Sequence, residues 1–353
     1  MAKKRAGSKK QFNINSLLYL LIFLTFLGIL YMYYQEKINS FFKKEPVQVE
    51  EPKVVENNVS HDYDKTWYLN SIDQFKNYDL KFDYYVRVSS PIEQIDIRIP
   101  LPQHQKNWQY IYENNYSVEP IEILEEDGNK FVKYQLINPE MKQYKFELQT
   151  DVAVRSYDIN KAKEINRNLR PEVNIDKYLQ AEEYIEVNSE YLRDVASGIQ
   201  GDTKEEIVRN IFDFVQTHLE YTLQTPNVSA EQVLKGGKAF CSGFTALMIT
   251  LCRIKGIPAR AVYGNLIKDG KDSKHNWVEV YYPQYGWVMY DPVFFVYNQD
   301  KEMKSQKDKI IKPVYDYVIL GYNKFSGWDV QMTSSTEIAN PVTIDDLFTV
   351  IEK

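Results

Sequence analysis

The chain has little cysteine and little histidine, and it has no excess of positive charge. Its 353 residues include two cysteines, Cys241 and Cys252, and four histidines. This small number of cysteines and histidines excludes a disulfide framework and a zinc cluster of the finger type. With 43 basic and 49 acidic side chains the formal net charge is −6, so we expect no nucleic-acid partner. The role of each cysteine therefore has to be inferred from the residues around it.

The composition is that of a folded protein. Hydrophobic residues make up 44% of the chain and charged residues 26%, which is enough apolar side chain to build a core. At about 100–200 residues per domain, this length predicts two domains with additional segments. The aromatic share of 14% favours β-structure in part of the chain. Residues 269–272 lack the ligand spacing of a calcium loop, and we expect neither a metal nor a cofactor.

The beginning of the chain has the pattern of a membrane anchor. Residues 1–16 contain basic side chains and no acidic one, and residues 17–34 are almost wholly apolar. A helix of that length spans about 27 Å, close to the hydrocarbon thickness of a bilayer. Because basic flanks stay cytoplasmic, we expect 1–16 inside the cell, 17–34 across the membrane and the rest outside. The alternatives are a cleaved signal peptide, for which the run is long and lacks a cleavage site, and a buried core helix.

Two segments follow the predicted anchor. Residues 35–60 are polar and predict a tether, and residues 61–157 predict a small β-sandwich domain. In the sandwich region, apolar and polar residues alternate strictly over 95–99, as in a half-buried strand. Asp127-Gly128-Asn129 separates two such runs and predicts a hairpin.

Residues 158–353 predict a second domain of α+β class. The sequence from Thr203 to Glu206 resembles a capping box and begins a helical pattern, and a second helix is predicted over 240–251. Strand patterns follow at 259–263, 276–282 and 287–290, with a turn at Gln284-Tyr285-Gly286. Helices followed by antiparallel strands are typical of an α+β fold. The tail over 294–353 is apolar enough around 315–322 to pack on the core.

Cys241, His275 and Asp291 have the order and setting of a nucleophilic site. Cys241 falls at or near a predicted helix start, where the helix dipole and free N–H groups stabilise a thiolate. His275, at the head of a predicted strand, is the candidate base, and Asp291, after the next strand, is the candidate acceptor that orients the imidazole. Each residue has a structural alternative, such as a buried cysteine or a turn-starting aspartate. The presence of all three favours catalysis.

The motifs around these residues resemble the transglutaminase-like superfamily. They are Cys241 itself, Arg260 in GIPARAVYG, His275 in HNWVEV and Asp291 in GWVMYDP. The resemblance covers about 204–293 and, more weakly, the β region, where IRIPLP and DGN are similar to the N-terminal sandwich of many bacterial members. Two positions depart from the pattern: Ala239 stands where many members have glycine, and Asn276 where alanine is frequent.

The resemblance implies a papain-like core of helices and antiparallel sheet, preceded by the sandwich and the transmembrane helix. It implies that Cys241 attacks a carbonyl and forms a thioester, that His275 activates it and protonates the leaving group, and that Asp291 holds the imidazole. The backbone N–H of Cys241 would supply part of an oxyanion hole. Tyr221 is a candidate for the second donor and Trp277 for the cleft wall, with core packing as the alternative for both. We expect Arg260 to make a structural pairing.

The function implied is a thiol acyl-transfer enzyme that acts on amide bonds of a protein or peptide at the cell surface. Hydrolysis, as a peptidase or amidase, is the commoner activity of bacterial members. Two alternatives remain open at this point. One is a transglutaminase that cross-links surface proteins through an amine acceptor, and the other is a non-catalytic surface binding or assembly module with a silent triad.

Overall fold

The computed structural model describes residues 74–166, 174–223, 229–268, 271–293, 316–323, 329–333 and 341–352. The predicted basic segment, anchor and tether over 1–60 lie outside the described residues. Within the described part of the chain, no helix is both long enough and apolar enough to cross a membrane.

Six strands begin the described chain and form most of a β-sandwich. In chain order they are β1 (Phe75–Val88), β2 (Gln94–Pro100), β3 (Gln109–Tyr116), β4 (Glu122–Glu126), β5 (Asn129–Ile137) and β6 (Gln143–Arg155). They divide into two antiparallel sheets whose inner faces share one apolar cluster. Ile95, Ile97 and Ile99 of β2 point into this cluster with at most 1% exposure, which confirms the alternating strand.

The predicted hairpin joins β4 to β5. Glu126 pairs with Asn129, and the two residues between them, Asp127 and Gly128, both have positive φ, at 52° and 78°. Positive φ at both positions is what a two-residue turn between twisted strands requires, and it explains the Asp-Gly pair.

Five helices follow the sandwich strands in the described part of the chain. They are α1 (Ile159–Asn166), α2 (Glu190–Gly198), α3 (Lys204–His218), α4 (Ala230–Gly236) and α5 (Cys241–Ile254), with a 3₁₀ turn over Ile175–Leu179. Thr203 caps α3 by accepting from the Glu206 N–H, as predicted. The Glu206 carboxylate, however, accepts from the N–H of Asp202, one residue before the cap, so the capping box is only half formed.

Helix α5 lies at the centre of this region because it is apolar on every face. Its residues from Ser242 to Arg253 are all buried, and α2, α3, α4 and a third antiparallel sheet surround it. That sheet contains β9 (Ala259–Lys268), β10 (Lys271–Tyr282), β11 (Gly286–Tyr290) and β12 (Asp316–Tyr322), in the antiparallel order β11-β10-β9-β12. The mixture of helices and antiparallel strands agrees with the predicted α+β class. A short parallel pair, β7 (Glu220–Tyr221) and β8 (Lys238–Ala239), precedes α5.

The end of the chain returns to the sandwich. β13 (Asp329–Thr333) pairs with β2, and β14 (Val342–Glu352) pairs with β1, so each sheet of the sandwich has four strands. Both strands fall within 158–353, the predicted second domain, and that prediction is wrong for them. The reason is that their partners lie more than two hundred residues earlier, and no local pattern records such a pairing.

Side chains of the sandwich also cover the outer edge of β12. The amide of Gln109 donates to the Ile319 carbonyl oxygen (3.0 Å) and accepts from the Ile319 N–H (2.8 Å). The amide of Asn129 makes the same two bonds with Tyr322 (3.0 and 2.6 Å). Each buried amide thus replaces the backbone of a missing neighbouring strand, which satisfies an otherwise open sheet edge.

Candidate active site

Cys241 is the first residue of α5 and is partly exposed. The carbonyl of Phe240, the residue before it, accepts from the N–H groups of Gly243 and Phe244 (both 3.1 Å), which starts the helix there. The first turn lies close against β8: a Cβ at Gly243 would come within 2.6 Å of the Ala239 Cβ. Glycine at 243 therefore makes room for Ala239, the position where many family members have glycine.

His275 and Asp291 are brought together by the pairing of β10 and β11. The register joins Val278 to Tyr290, so Asp291 follows directly after β11 beside the first half of β10. His275 Nε2 lies 2.9 Å from Asp291 Oδ2, and both residues are less than 9% exposed. Antiparallel pairing is thus what converts a separation of sixteen residues into a hydrogen bond.

The imidazole of His275 also interacts electrostatically with the Cys241 thiol. Since Nε2 faces Asp291, the ring has Nδ1 left for the sulfur. Burial alone would lower the pKa of His275, but Asp291, through its charge and its hydrogen bond, and the neighbouring Cys241 outweigh burial and raise this pKa to about 10. The site therefore favours an imidazolium, the form that stabilises a thiolate beside it.

Two more groups hold the Asp291 carboxylate. The Tyr317 hydroxyl on β12 donates to Oδ2 (2.9 Å), and the Val293 N–H donates to Oδ1 (3.0 Å). From the sequence, Tyr317 was expected only to pack on the core as part of the tail. No motif marks it, and the only signal was an apolar, tyrosine-containing run in that tail.

Trp277 is fully buried and packs behind the imidazole. It therefore does not form a cleft wall, and the alternative for this residue, core packing, is what the structure shows. Its ring is nearly parallel to that of His275 (6.1 Å between centroids, 23°) and meets Tyr317 edge-on (5.0 Å). Gly264, opposite His275 on β9, provides the space, because a Cβ there would lie 2.7 Å from the Trp277 ring and 2.0 Å from the Val318 carbonyl oxygen.

Tyr221 lies close to the start of α5, as its candidate role requires. β7 pairs with β8 so that Tyr221 is opposite Ala239, two residues before the cysteine, and its ring packs near Phe244 (6.4 Å). This position is compatible with a donor to an oxyanion and also with simple packing against the helix. Its role as a donor remains a prediction.

Comparison with known proteins agrees with this geometry. Residues 189–292, which contain the whole triad, match the model of the transglutaminase-like superfamily. These residues form a transglutaminase-like domain. The uncharacterised protein YebA of Bacillus subtilis is 32% identical to this chain in a match that covers 24% of this chain and 15% of YebA. The chain thus spans about a seventh of the length of that relative, by the same match.

A solved structure extends the similarity of fold beyond the transglutaminase-like domain. A protein of Cytophaga hutchinsonii, proposed to be a cysteine protease, superimposes with a TM-score of 0.58. The superposition covers 79% of this chain and 91% of that one at 16% sequence identity. At that identity the similarity shows a shared fold, and the chemistry depends on the residues of the site itself.

The two departures from the family pattern lie in the transglutaminase-like domain next to the nucleophile. Ala239 packs on the first turn of α5, as described above. Asn276 is buried, and its Oδ1 lies 4.0 Å from the Cys241 sulfur, a long contact even for sulfur. The residue after the histidine therefore contacts the candidate nucleophile Cys241 through its side-chain oxygen, a contact that an alanine would not make.

Arg260 makes the structural pairing that was expected. Its guanidinium bonds the Glu279 carboxylate through Nε (2.8 Å) and Nη2 (2.7 Å), and it stacks over the rings of Trp287 (4.1 Å) and Tyr322 (3.8 Å). This cluster faces a cavity of about 210 Å³ that neither Cys241 nor His275 lines. Within the described residues, no three His, Cys, Asp or Glu side chains are placed to hold a metal.

Proposed function

We propose that this protein is a thiol hydrolase that cleaves amide bonds of a protein or peptide through a thioester on Cys241. The observation that carries the proposal is the arrangement of the triad: the His275 imidazole is hydrogen-bonded to the Asp291 carboxylate, interacts with the Cys241 thiol, and is held in a site that favours its protonated form. A buried structural cysteine needs no such partners. The match of residues 189–292 to the transglutaminase-like superfamily supports the same chemistry.

The reaction has two balanced steps. The Cys241 thiolate attacks the amide carbonyl, the C–N bond breaks, and the His275 imidazolium gives its proton to the leaving amine. His275, now neutral, takes a proton from water, whose oxygen attacks the thioester. The acid leaves, and the thiolate and imidazolium are restored. In both steps the backbone N–H of Cys241 at the start of α5 would stabilise the oxyanion.

Water is the acceptor we propose, rather than an amine. Transfer to an amine requires a site that excludes water while the thioester waits for its second substrate. Cys241 is partly exposed among the described residues, so water has access to the acyl-enzyme. This favours a peptidase or amidase over a cross-linking transglutaminase.

We also propose that the enzyme is anchored in the cytoplasmic membrane and acts outside it. The support is the sequence of residues 1–34, in which a basic segment precedes an apolar run of membrane-spanning length. A substrate at the cell surface, protein or peptide, follows from that location.

The test is made with the full-length protein in detergent and a peptide library derived from bacterial surface proteins. The reaction is run in H₂¹⁸O with dansylcadaverine present, and products are read by mass spectrometry. We expect ¹⁸O in new carboxylates and no dansyl-labelled peptide, and neither product with Cys241→Ala. Dansyl incorporation would show amine transfer instead. Absence of both products, together with unimpaired surface function of Cys241→Ala in cells, would favour the binding module.

A further inference from the structure

Asp291 is held by more than the histidine it is expected to orient. One of its oxygens, Oδ2, accepts both from Tyr317 and from His275, each at 2.9 Å, and the other accepts from the Val293 N–H. Tyr317 is 6% exposed, so its hydroxyl has little contact with solvent. Two donors on one oxygen compete for the same negative charge.

We propose that Tyr317 is a positioning residue of the triad: its hydroxyl fixes the Asp291 carboxylate against His275 and takes a share of its charge. This inference rests on the proposed function, since it concerns how the same triad works. Tyr317 acts through Asp291 and does not contact Cys241 or the acyl group.

The ring of Tyr317 is itself held in place. It packs edge-on against Trp277, which backs the imidazole, and its backbone pairs with Leu266 on β9. The hydroxyl therefore reaches Asp291 from a ring that is fixed between two elements of the sheet. A bond made from such a rigid position selects one orientation of the carboxylate.

The sandwich holds the strand that carries Tyr317. The adjacent Asp316 is buried and accepts from the Tyr78 hydroxyl (2.5 Å), the Ser156 hydroxyl (2.7 Å) and Lys76 (2.8 Å). Farther along β12, Gln109 holds Ile319 and Asn129 holds Tyr322, as described above. The sandwich thereby contributes to the geometry of the triad from outside the matched residues 189–292.

The direction of the effect follows from the competition at Oδ2. Without the Tyr317 hydroxyl, the carboxylate has more charge to offer the imidazolium, so the pKa of His275 rises further above about 10. Among the described residues, the other titratable group in contact with the pair is Cys241 from α5. A more basic imidazolium is a weaker acid toward the leaving amine, so acylation slows.

The experiment compares Tyr317→Phe with Tyr322→Phe in the full-length protein. Tyr322 lies on the same strand, and its hydroxyl also donates to a side chain, Gln105 (2.7 Å), but it does not bond the triad. We expect Tyr317→Phe to lower kcat about 10-fold and to move the basic limb of the pH profile upward by about half a unit. We expect Tyr322→Phe to leave both unchanged.

A second measurement does not need activity. The proton on His275 Nε2, shared with Asp291, is observed by NMR and assigned by its absence in His275→Gln. We expect Tyr317→Phe to move it downfield, because the acceptor oxygen becomes more basic, and Tyr322→Phe to leave it in place. Equal positions in both variants, or an unshifted pH limb in Tyr317→Phe, would overturn the inference. If the wild type cleaves none of the peptides, the proposed function fails while the NMR comparison still decides the role of Tyr317.

Discussion

The two ends of helix α5 each carry a cysteine, and they give it opposite surroundings. Cys241, at the first position, is partly exposed and interacts with the imidazole of His275, whose surroundings favour its protonated form. Cys252, in the last turn, is 0% exposed, and burial raises its pKa to about 12, although the nearby charge of Arg253 works in the opposite direction. The same side chain on one helix is thus placed to be a nucleophile at one end and an apolar core residue at the other.

The polar contacts at the two ends of α5 also have different roles. At the C-terminal end, the buried guanidinium of Arg253 donates to the carbonyl oxygens of Gln180 (2.5 Å) and Ala259 (2.9 Å) and to the Glu182 carboxylate (2.7 Å). These bonds join α5 to the 3₁₀ turn region and to β9. At the N-terminal end, the contacts converge on the sulfur of Cys241, the proposed nucleophile. The polar contacts of Arg253 thus hold the fold together, and those around Cys241 arrange the proposed triad.

The largest effect should come from removing each sulfur in turn. Cys241→Ala should lower hydrolysis at least about 10⁴-fold, as the loss of a nucleophile does. Cys252→Ala should retain the rate of the wild type, because its thiol is enclosed in the core and takes no part in the reaction. The measurement is single-turnover cleavage of a peptide substrate found by the ¹⁸O assay. A Cys241→Ala protein with normal turnover would remove Cys241 as the nucleophile.

Alkylation should separate the two sulfurs in the unmodified protein. At about pH 6, iodoacetamide should modify Cys241 at least about 100-fold faster than Cys252, whose thiol is buried and has a raised pKa. The imidazolium of His275 is present throughout the range below a pKa of about 10, so this contrast should persist from acid to neutral pH. Peptide mass spectrometry gives both rates in one sample. His275→Ala should slow Cys241 and leave Cys252 unreactive, and equal rates at the two cysteines would contradict the comparison.

A smaller effect, on stability rather than activity, should follow from a substitution at the C-terminal end of α5. Arg253→Ala should lower the free energy of unfolding by about 3 kcal/mol, because it removes buried hydrogen bonds and leaves the acceptors without partners. Urea unfolding followed by circular dichroism measures the change. The matched control is Lys235→Ala, which removes the exposed Lys235–Glu231 pair of α4 and should leave the unfolding midpoint unchanged. If the two variants unfold alike, the bonds of Arg253 contribute no more than a surface pair.

The local patterns of the chain predicted much of the site. The alternation over 95–99, the Asp-Gly turn, the start of α5 at Cys241 and the Cys–His–Asp order all depend on neighbouring residues or on motifs, and the structure contains each of them. The structural pairing of Arg260 was also predicted, and Arg260 lies on β9, the strand next to the one that carries His275. Trp277 shows what local patterns do not predict. The sequence shows an aromatic residue near the site, but whether its ring faces a cleft or the core depends on Gly264 on another strand.

Sequence alone determined which residues are the candidates for catalysis and the order in which they occur, because side-chain chemistry and short-range periodicity are local properties of the chain. Only the tertiary structure placed β13 and β14 in the sandwich, set the amides of Gln109 and Asn129 against β12, and brought Tyr317 to Asp291. The physical reason is that these contacts join residues distant in the chain through backbone groups, hydroxyls and amides that occur in every protein. Their partners are chosen by the packing of whole sheets, which no local pattern of residues records.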